Sequence, residues 1–252
     1  MAGHARFSSI AAATGHGGLT IRTEARSELL SRAFDLRSKA LKGLGRLEEA
    51  SRAAERAVRE GRTAAQTSEA AKHWLPMLLM NLSNRYGGLG RHREALDTIG
   101  EAVAHLRRLE GDHPDPLSPN TADALVNYAQ CLQDCGMSPQ ARETIAEAVA
   151  RLQRLTASHP KFRPKLDMAV AVWASYLSSS PVDDEETRTE YEQVIGLLDE
   201  LSAAEAALRV IHAKAMSDFG TKLLRAGDRD HGRQWRAKGV RLRRELLAHR
   251  DV

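Results

Sequence analysis

An all-α fold of stacked helical hairpins is predicted by three features of the 252-residue sequence. The stretch from Asn81 to Leu109 returns 46 positions later as Asn127 to Leu155. Within each copy the apolar residues recur at three and four positions, the spacing that lines one face of a helix. Ala, Leu, Arg and Glu dominate the composition, aromatic residues make up 4% and β-branched runs are missing, so no sheet is expected. A repeat of this length is one supersecondary unit that buries its apolar face on its neighbours, and the chain is therefore expected to be an array.

The two copies define the unit. Gly90 falls on Gly136, Ala95 on Ala141, Ile99 on Ile145, and the run Glu101 to Ala104 on Glu147 to Ala150. Asn81 falls on Asn127, and the His113-Pro114 pair on His159-Pro160. Each glycine is expected to close a first helix and open the turn into a second.

Taken from the N-terminus, residues 1–22 are rich in Ala, Gly and Ser without a sustained period and are expected to be a flexible lead-in. One domain is expected over 23–252, with hairpins at about 23–65, 68–110, 119–156, 164–203 and 204–250. In the first, Leu29, Leu30, Ala33, Leu36, Ala40 and Leu41 are expected to form the inward face of a helix ended by Gly45. Ala50, Ala54, Ala57 and Val58 line its partner, and a linker is expected around 61–68. In the second hairpin Pro76 is expected in the first turn of a helix or at a kink, with Leu79, Leu82 and Tyr86 inward before Gly90. The third turns at Gly136. The fourth carries Met168, Val172, Trp173 and Tyr176, but near position 182, where a glycine is due, the sequence reads SSSPVDDEE. The acids Asp183 to Glu186 suit a helix N-terminus, where they oppose the dipole favourably. The fifth hairpin restores the glycine at Gly227, although Gly232 and Gly239 stand where the other copies have Ala.

Glycines at 45, 90, 136 and 227 with this order of residues resemble tetratricopeptide repeats of the lengthened, kinesin-light-chain-like kind found in actinobacterial proteins. Leu79, Leu82-Ser83, Tyr86, Gly90, Ala95, Ile99 and Ala102 fill the family's pattern in the best copy. The resemblance implies a right-handed α-α superhelix of about five hairpins, and a concave surface, lined by the first helix of each, that holds a protein or peptide. Counted from each turn, the implied groove residues are Asn81, Asn84, Asn127, Gln130, Trp173, Tyr176, Lys214, Asp218 and Thr221. Asn and Gln can both donate to and accept from a peptide backbone. Trp173 would add an apolar anchor. Asn81 and Asn127 also fit as structural residues of the repeat, and Trp173 as core. The family's carboxylate clamp needs Lys and Arg where this chain has Met77, Met80, Asp123 and Val126, which argues for a more apolar ligand surface.

Other chemistry finds little support. No metalloprotease, nucleophile-elbow, phosphate-loop or dinucleotide motif occurs. Cys131 and Cys135 lack further ligands at metal spacing and read as small core residues. No enzyme, cofactor or metal is expected. Two cysteines point to a reducing compartment. With no signal-peptide core and no stretch long and apolar enough to span a bilayer, the expected location is cytoplasmic.

The net charge is +4 and the isoelectric point about 9.2. From His231 to Val252 there are seven Lys or Arg against two acids, so the excess lies at this end. Arg236, Arg243, Arg244 and Arg250 could meet phosphates or an acidic partner; the simpler reading is a solvated helix capping the array. Alternatives to peptide binding are thus a nucleic-acid or acidic-partner surface on this helix, and a sensor or oligomerisation module of a larger signalling protein.

Overall fold

The structure, a computed structural model, describes residues 26–111, 118–182, 184–202 and 205–248. The lead-in expected over 1–22 lies outside them, as do Asp183 and Arg250. The described residues form ten α-helices and no strand. Helix α1 covers residues 26–43. It is followed by α2 (Leu47–Ala64), α3 (Glu69–Gly88), α4 (His92–Gly111), α5 (Pro119–Asp134) and α6 (Ser138–Ser158). A single 3₁₀ turn, Pro160–Phe162, leads into α7 (Arg163–Ser179), and α8 (Glu185–Ser202), α9 (Ala206–Arg225) and α10 (Arg229–Ala248) complete the chain. Two compact units result. Met1–Pro116 holds the hairpins α1–α2 and α3–α4, and Leu117–Val252 holds α5–α6, α7–α8 and α9–α10.

The four expected turn glycines share one geometry. Gly45, Gly90, Gly136 and Gly227 have φ of 73°, 72°, 76° and 92°, a region in which a Cβ would be strained. The residue after each donates its N–H five residues back, Arg46 to Leu41 at 3.0 Å, and Arg91 to Tyr86, Met137 to Leu132 and Asp228 to Leu223 each at 2.9 Å. These bonds satisfy carbonyls that a helix end leaves open. In the fourth hairpin Ser180 is extended, and the Leu177 carbonyl accepts from the Ser180 N–H, three residues on, at 3.0 Å and from the Tyr191 hydroxyl at 2.6 Å. Leu177 thereby takes the place of Leu41, Tyr86, Leu132 and Leu223, so Pro181 stands where the glycine would be, one residue earlier than the spacing suggested. Asp184 then opens α8 by accepting from the Thr187 N–H at 2.6 Å, and this bond holds its carboxyl below the usual range.

The core is the repeat pattern made solid. Ala50, Ala95 and Ala141 are buried at the point where each second helix meets its first, and Ile99, Ile145, Val58, Val103 and Val149 fill the layer beyond. Ala54 stands where the next two hairpins have Ile. Gly61 replaces Leu106 and Leu152, and a Cβ there would lie 2.6 Å from the Leu78 side chain, so α3 closes onto α2 at this point. Helix α2 continues through Ala64, which shortens the expected linker. Ser68 caps α3, accepting from the Ala71 N–H at 3.2 Å, and Pro76 is buried more than one turn inside.

Helix α1 is oriented differently from the sequence expectation. Its buried positions are Ser27, Ser31, Asp35, Ser38 and Leu41, whereas Leu29 and Leu36 are 69% and 66% exposed and Ala33 and Ala40 also face outward. Both faces have helical spacing, so periodicity alone favoured the more apolar one. The polar face is the buried one because α3 supplies its partners: Asn81 donates to Asp35 and Arg85 to Ser38. In α7 Met168, one of the apolar residues by which the sequence marks this helix, is likewise exposed.

Candidate functional site

The expected groove residues lie on α3 in the first unit and on α5, α7 and α9 in the second, and the structure divides them by what they already touch. In the first unit the Asn81 amide donates to Asp35 Oδ1 at 2.9 Å, and that buried carboxylate also holds Lys39 at 2.6 Å. Asn81 is therefore engaged between hairpins. Asn84, one turn on, is exposed and makes no side-chain hydrogen bond among the described residues. Met77, on the same helix, is also exposed.

In the second unit Gln130 donates to Asp134 at 2.8 Å and accepts from the Tyr176 hydroxyl at 3.3 Å. Burial pushes the Tyr176 phenol up to about 12, so it stays protonated and able to donate. Asp218 accepts from Ser178 at 2.7 Å, and Thr221 donates to the Ser217 carbonyl at 2.8 Å. Asn127 is half-buried and Lys214 exposed, and neither side chain is hydrogen-bonded among the described residues. Between α7 and α9 lies a depression of about 170 Å³. Ala171, Ala174 and Ala215 line it with Ser175 and Lys214. Small side chains on both helices leave this furrow.

Trp173 and Tyr176 are not part of the exposed face, being 4% and 5% exposed. Trp173 turns toward α8, where Glu190 stands opposite Arg142 at 3.7 Å. Burial holds the Glu190 carboxyl above its usual range, opposed by Arg142 and the Trp173 indole. The missing glycine explains the misplacement. Counted from Pro181, the positions nine and six before the turn are Val172 and Ser175, and these are the half-buried and exposed ones. The signal was present in the sequence, because aligning Leu177 with Leu41, Tyr86, Leu132 and Leu223 sets the correct phase.

The basic C-terminal helix is held by close backbone approach. A Cβ on Gly220 would lie 2.5 Å from the Arg236 nitrogen, and one on Gly239 would lie 2.7 Å from the Ala213 carbonyl oxygen. The two glycines that break the Ala pattern, Gly232 and Gly239, are thus the buried residues of α10. Arg236, Arg243 and Arg244 are exposed, with no ion pair among the described residues. Among those residues no group of three His, Cys, Asp or Glu is placed to hold a metal ion. Cys131 is buried and Cys135 half-buried, and neither is in a disulfide. No described helix is long and apolar enough to cross a membrane.

No protein-family model matches the sequence, and the search of curated proteins returns no match. Solved structures do resemble the fold. BtubC (BKLC) from P. vanneervenii is 15% identical, with a TM-score of 0.59 over 97% of this chain and 93% of that one. The nearly identical TPR-like repeats assigned to a kinesin light chain of Podosopora anserina are 14% identical, with a TM-score of 0.55 over 85% of this chain and 95% of that one. Aspartyl phosphate phosphatase F from Bacillus subtilis is 11% identical, with a TM-score of 0.54 over 88% of this chain and 60% of that one. At these identities the likeness is one of fold: the chain has the tetratricopeptide-like helical-repeat architecture.

Proposed function

We propose that the chain is a non-catalytic scaffold that binds a protein or peptide segment along the first helices of its hairpins. The observation that carries this reading is the furrow between α7 and α9, where an alanine floor is flanked by Ser175, Ser178 and Lys214. An extended backbone fits such a floor, and side chains able to donate and accept along its edges suit main-chain recognition. Asn127 on α5, and separately Asn84 on α3, extend the same chemistry within their own units. The similar solved structures support a repeat architecture and leave the ligand to be identified.

The test places a photo-crosslinking residue at Ser175 or Asn127 and, as a control, at Glu143 on α6. Partners crosslinked from the two groove positions should be shared and absent from the Glu143 sample, and capture from Ser175 should be lost when Lys214 and Asn127 are both changed to Ala. Equal capture from Glu143 rejects the groove. Trp173→Ala is unsuitable for this purpose, because its burial makes loss of folding the dominant effect.

A second reading has its own observation. The exposed arginines of α10 form an unneutralised face suited to an acidic partner. Binding there should weaken steeply with salt, whereas binding in the furrow should not.

A further inference from the structure

A different cleft opens on the opposite side of α9, between α8 and α10. It encloses about 650 Å³, the size of a pocket for a small organic molecule. The groups on α9 that face it are Arg209, His212 and Met216, at helical spacing, whereas Ile211, Lys214 and Ala215 line the furrow described above. The two sites are therefore separate. The cleft exists because the glycine contacts draw α10 onto α9 and away from α8.

Its lining is graded. Ile195, Met216, Trp235 and Leu242 supply apolar surface from all three helices. Trp235 is fixed from behind by Phe219, with centroids 5.7 Å apart, and Phe219 in turn stacks on Tyr191 at 4.8 Å. At the floor are two polar side chains that are nine-tenths buried, His212 at 5% and Ser202 at 6% exposure. Neither they nor Arg209 make a side-chain hydrogen bond among the described residues. The Ser202 hydroxyl and the His212 ring nitrogens are not among the sealed, unpartnered polar atoms of the described residues, so they keep some accessible surface and their hydrogen-bonding positions are open to a molecule in the cleft. The acids of the lining, Glu192, Asp199 and Glu245, are exposed, and of these Asp199 acts on His212, favouring its protonated form.

We infer that this cleft binds a small amphipathic carboxylate. Its head accepts hydrogen bonds from Arg209, His212 and Ser202, and its apolar body lies along Met216, Ile195, Leu242 and Trp235, over whose ring the Lys238 ammonium also stands at 4.4 Å. All three groups can donate, and a guanidinium is the geometric match for a carboxylate. Burial lowers the affinity of His212 for a proton, which keeps the ring neutral at pH 7 with one N–H to give. The proposal is independent of the peptide furrow, whose variants leave this cleft intact.

Dodecanoate serves as the probe and dodecanol as its uncharged counterpart, both titrated by calorimetry below their aggregation limits into the full chain. One molecule of dodecanoate per chain is expected, with affinity at least tenfold above that of dodecanol. Arg209→Gln and His212→Leu should each weaken dodecanoate at least tenfold while leaving dodecanol unchanged. Gly196→Leu, placed in the wall where nothing lies within 4 Å of an added Cβ, should block both. Without ligand His212→Leu should melt no lower than the wild type, since the ring makes no side-chain hydrogen bond among the described residues. The inference is overturned by the absence of saturable binding, by equal affinity for the alcohol, by a stoichiometry well above one, or by binding that survives both the Arg209 and the His212 substitution.

Discussion

The side-chain amide of Asn81 on α3 donates to the Asp35 carboxylate on α1 at 2.9 Å, a contact between residues 46 apart and so one repeat apart. Asp35 is 6% exposed, and it relies on this amide and on Lys39 to offset its burial. Asn81→Ala should therefore cost about 1–3 kcal/mol of stability, the range for leaving a buried group short of a partner. Asn84→Ala, at an exposed position on the same helix, should stay within about 0.5 kcal/mol. Urea titrations of the two variants check this, and equal losses would contradict the assignment of Asn81 to packing.

The Leu177 carbonyl, which receives the Ser180 N–H rather than one from five residues on as in the other hairpins, is also held by Tyr191 and by the Lys222 ammonium at 3.0 Å. The same ammonium also donates to the Ser180 carbonyl. Two side chains from different helices thus reinforce a turn that lacks the glycine. Lys222→Met should lose about 1.5–3 kcal/mol, the range for hydrogen bonds to a charged group. Tyr191→Phe should lose less, because Lys222 remains. A double-mutant cycle by denaturant unfolding should find the two coupled; strictly additive losses would mean that they do not share the carbonyl.

Glycine-to-alanine changes should have opposite signs at two places. Gly239 has its added Cβ 2.4 Å from the Ser217 hydroxyl and 2.7 Å from the Ala213 carbonyl oxygen, so the substitution must separate α9 from α10. A loss of about 1–3 kcal/mol is expected from overpacking. Gly196, inside α8 with nothing within 4 Å of its Cβ, should gain about 0.5–1 kcal/mol from helix propensity. Thermal melts of both variants decide whether the three-glycine contact holds α10.

The buried His212 makes stability depend on pH in a stated direction. Burial pushes its pKa below the ordinary 6.5, with Asp199 opposing the shift. The unfolded chain then binds the proton more readily than the folded one, so stability is full above that ordinary value and falls as the pH drops below it. Measured as the difference between wild type and His212→Leu, the melting temperature should fall between pH 7.5 and 5.5. Parallel curves for the two proteins would show that His212 contributes nothing to the slope.

Much of the fold could be read from single residues. Gly45, Gly90, Gly136 and Gly227 announce left-handed turns because no other residue adopts that conformation without strain. The alanines and β-branched residues that follow them announce close helix packing. The candidate site was legible only in part. Asn84, Asn127, Gln130 and Lys214 do reach the first-helix surface, but the absent glycine in the fourth hairpin displaced the count by one, and Trp173 and Tyr176 were assigned to it in place of Val172 and Ser175. In α1 both faces satisfied helical spacing, and the sequence held no sign that the more apolar one would be exposed.

Local chemistry explains what the sequence by itself determined: helical class, hairpin length, the positions of the turns and the alternation of first and second helices. All of these depend on contacts within about one repeat. The tertiary structure alone decided which polar residues are consumed in packing. Asn81 meets Asp35, Gln130 meets Tyr176 and Lys222 reaches Leu177 across separations of 45 to 46 positions. It also decided that Gly220, Gly232 and Gly239 form one contact, and that drawing α10 onto α9 opens the cleft beside Trp235. These outcomes depend on how neighbouring hairpins face one another, and that orientation arises from simultaneous contacts of many side chains that no single stretch of sequence contains.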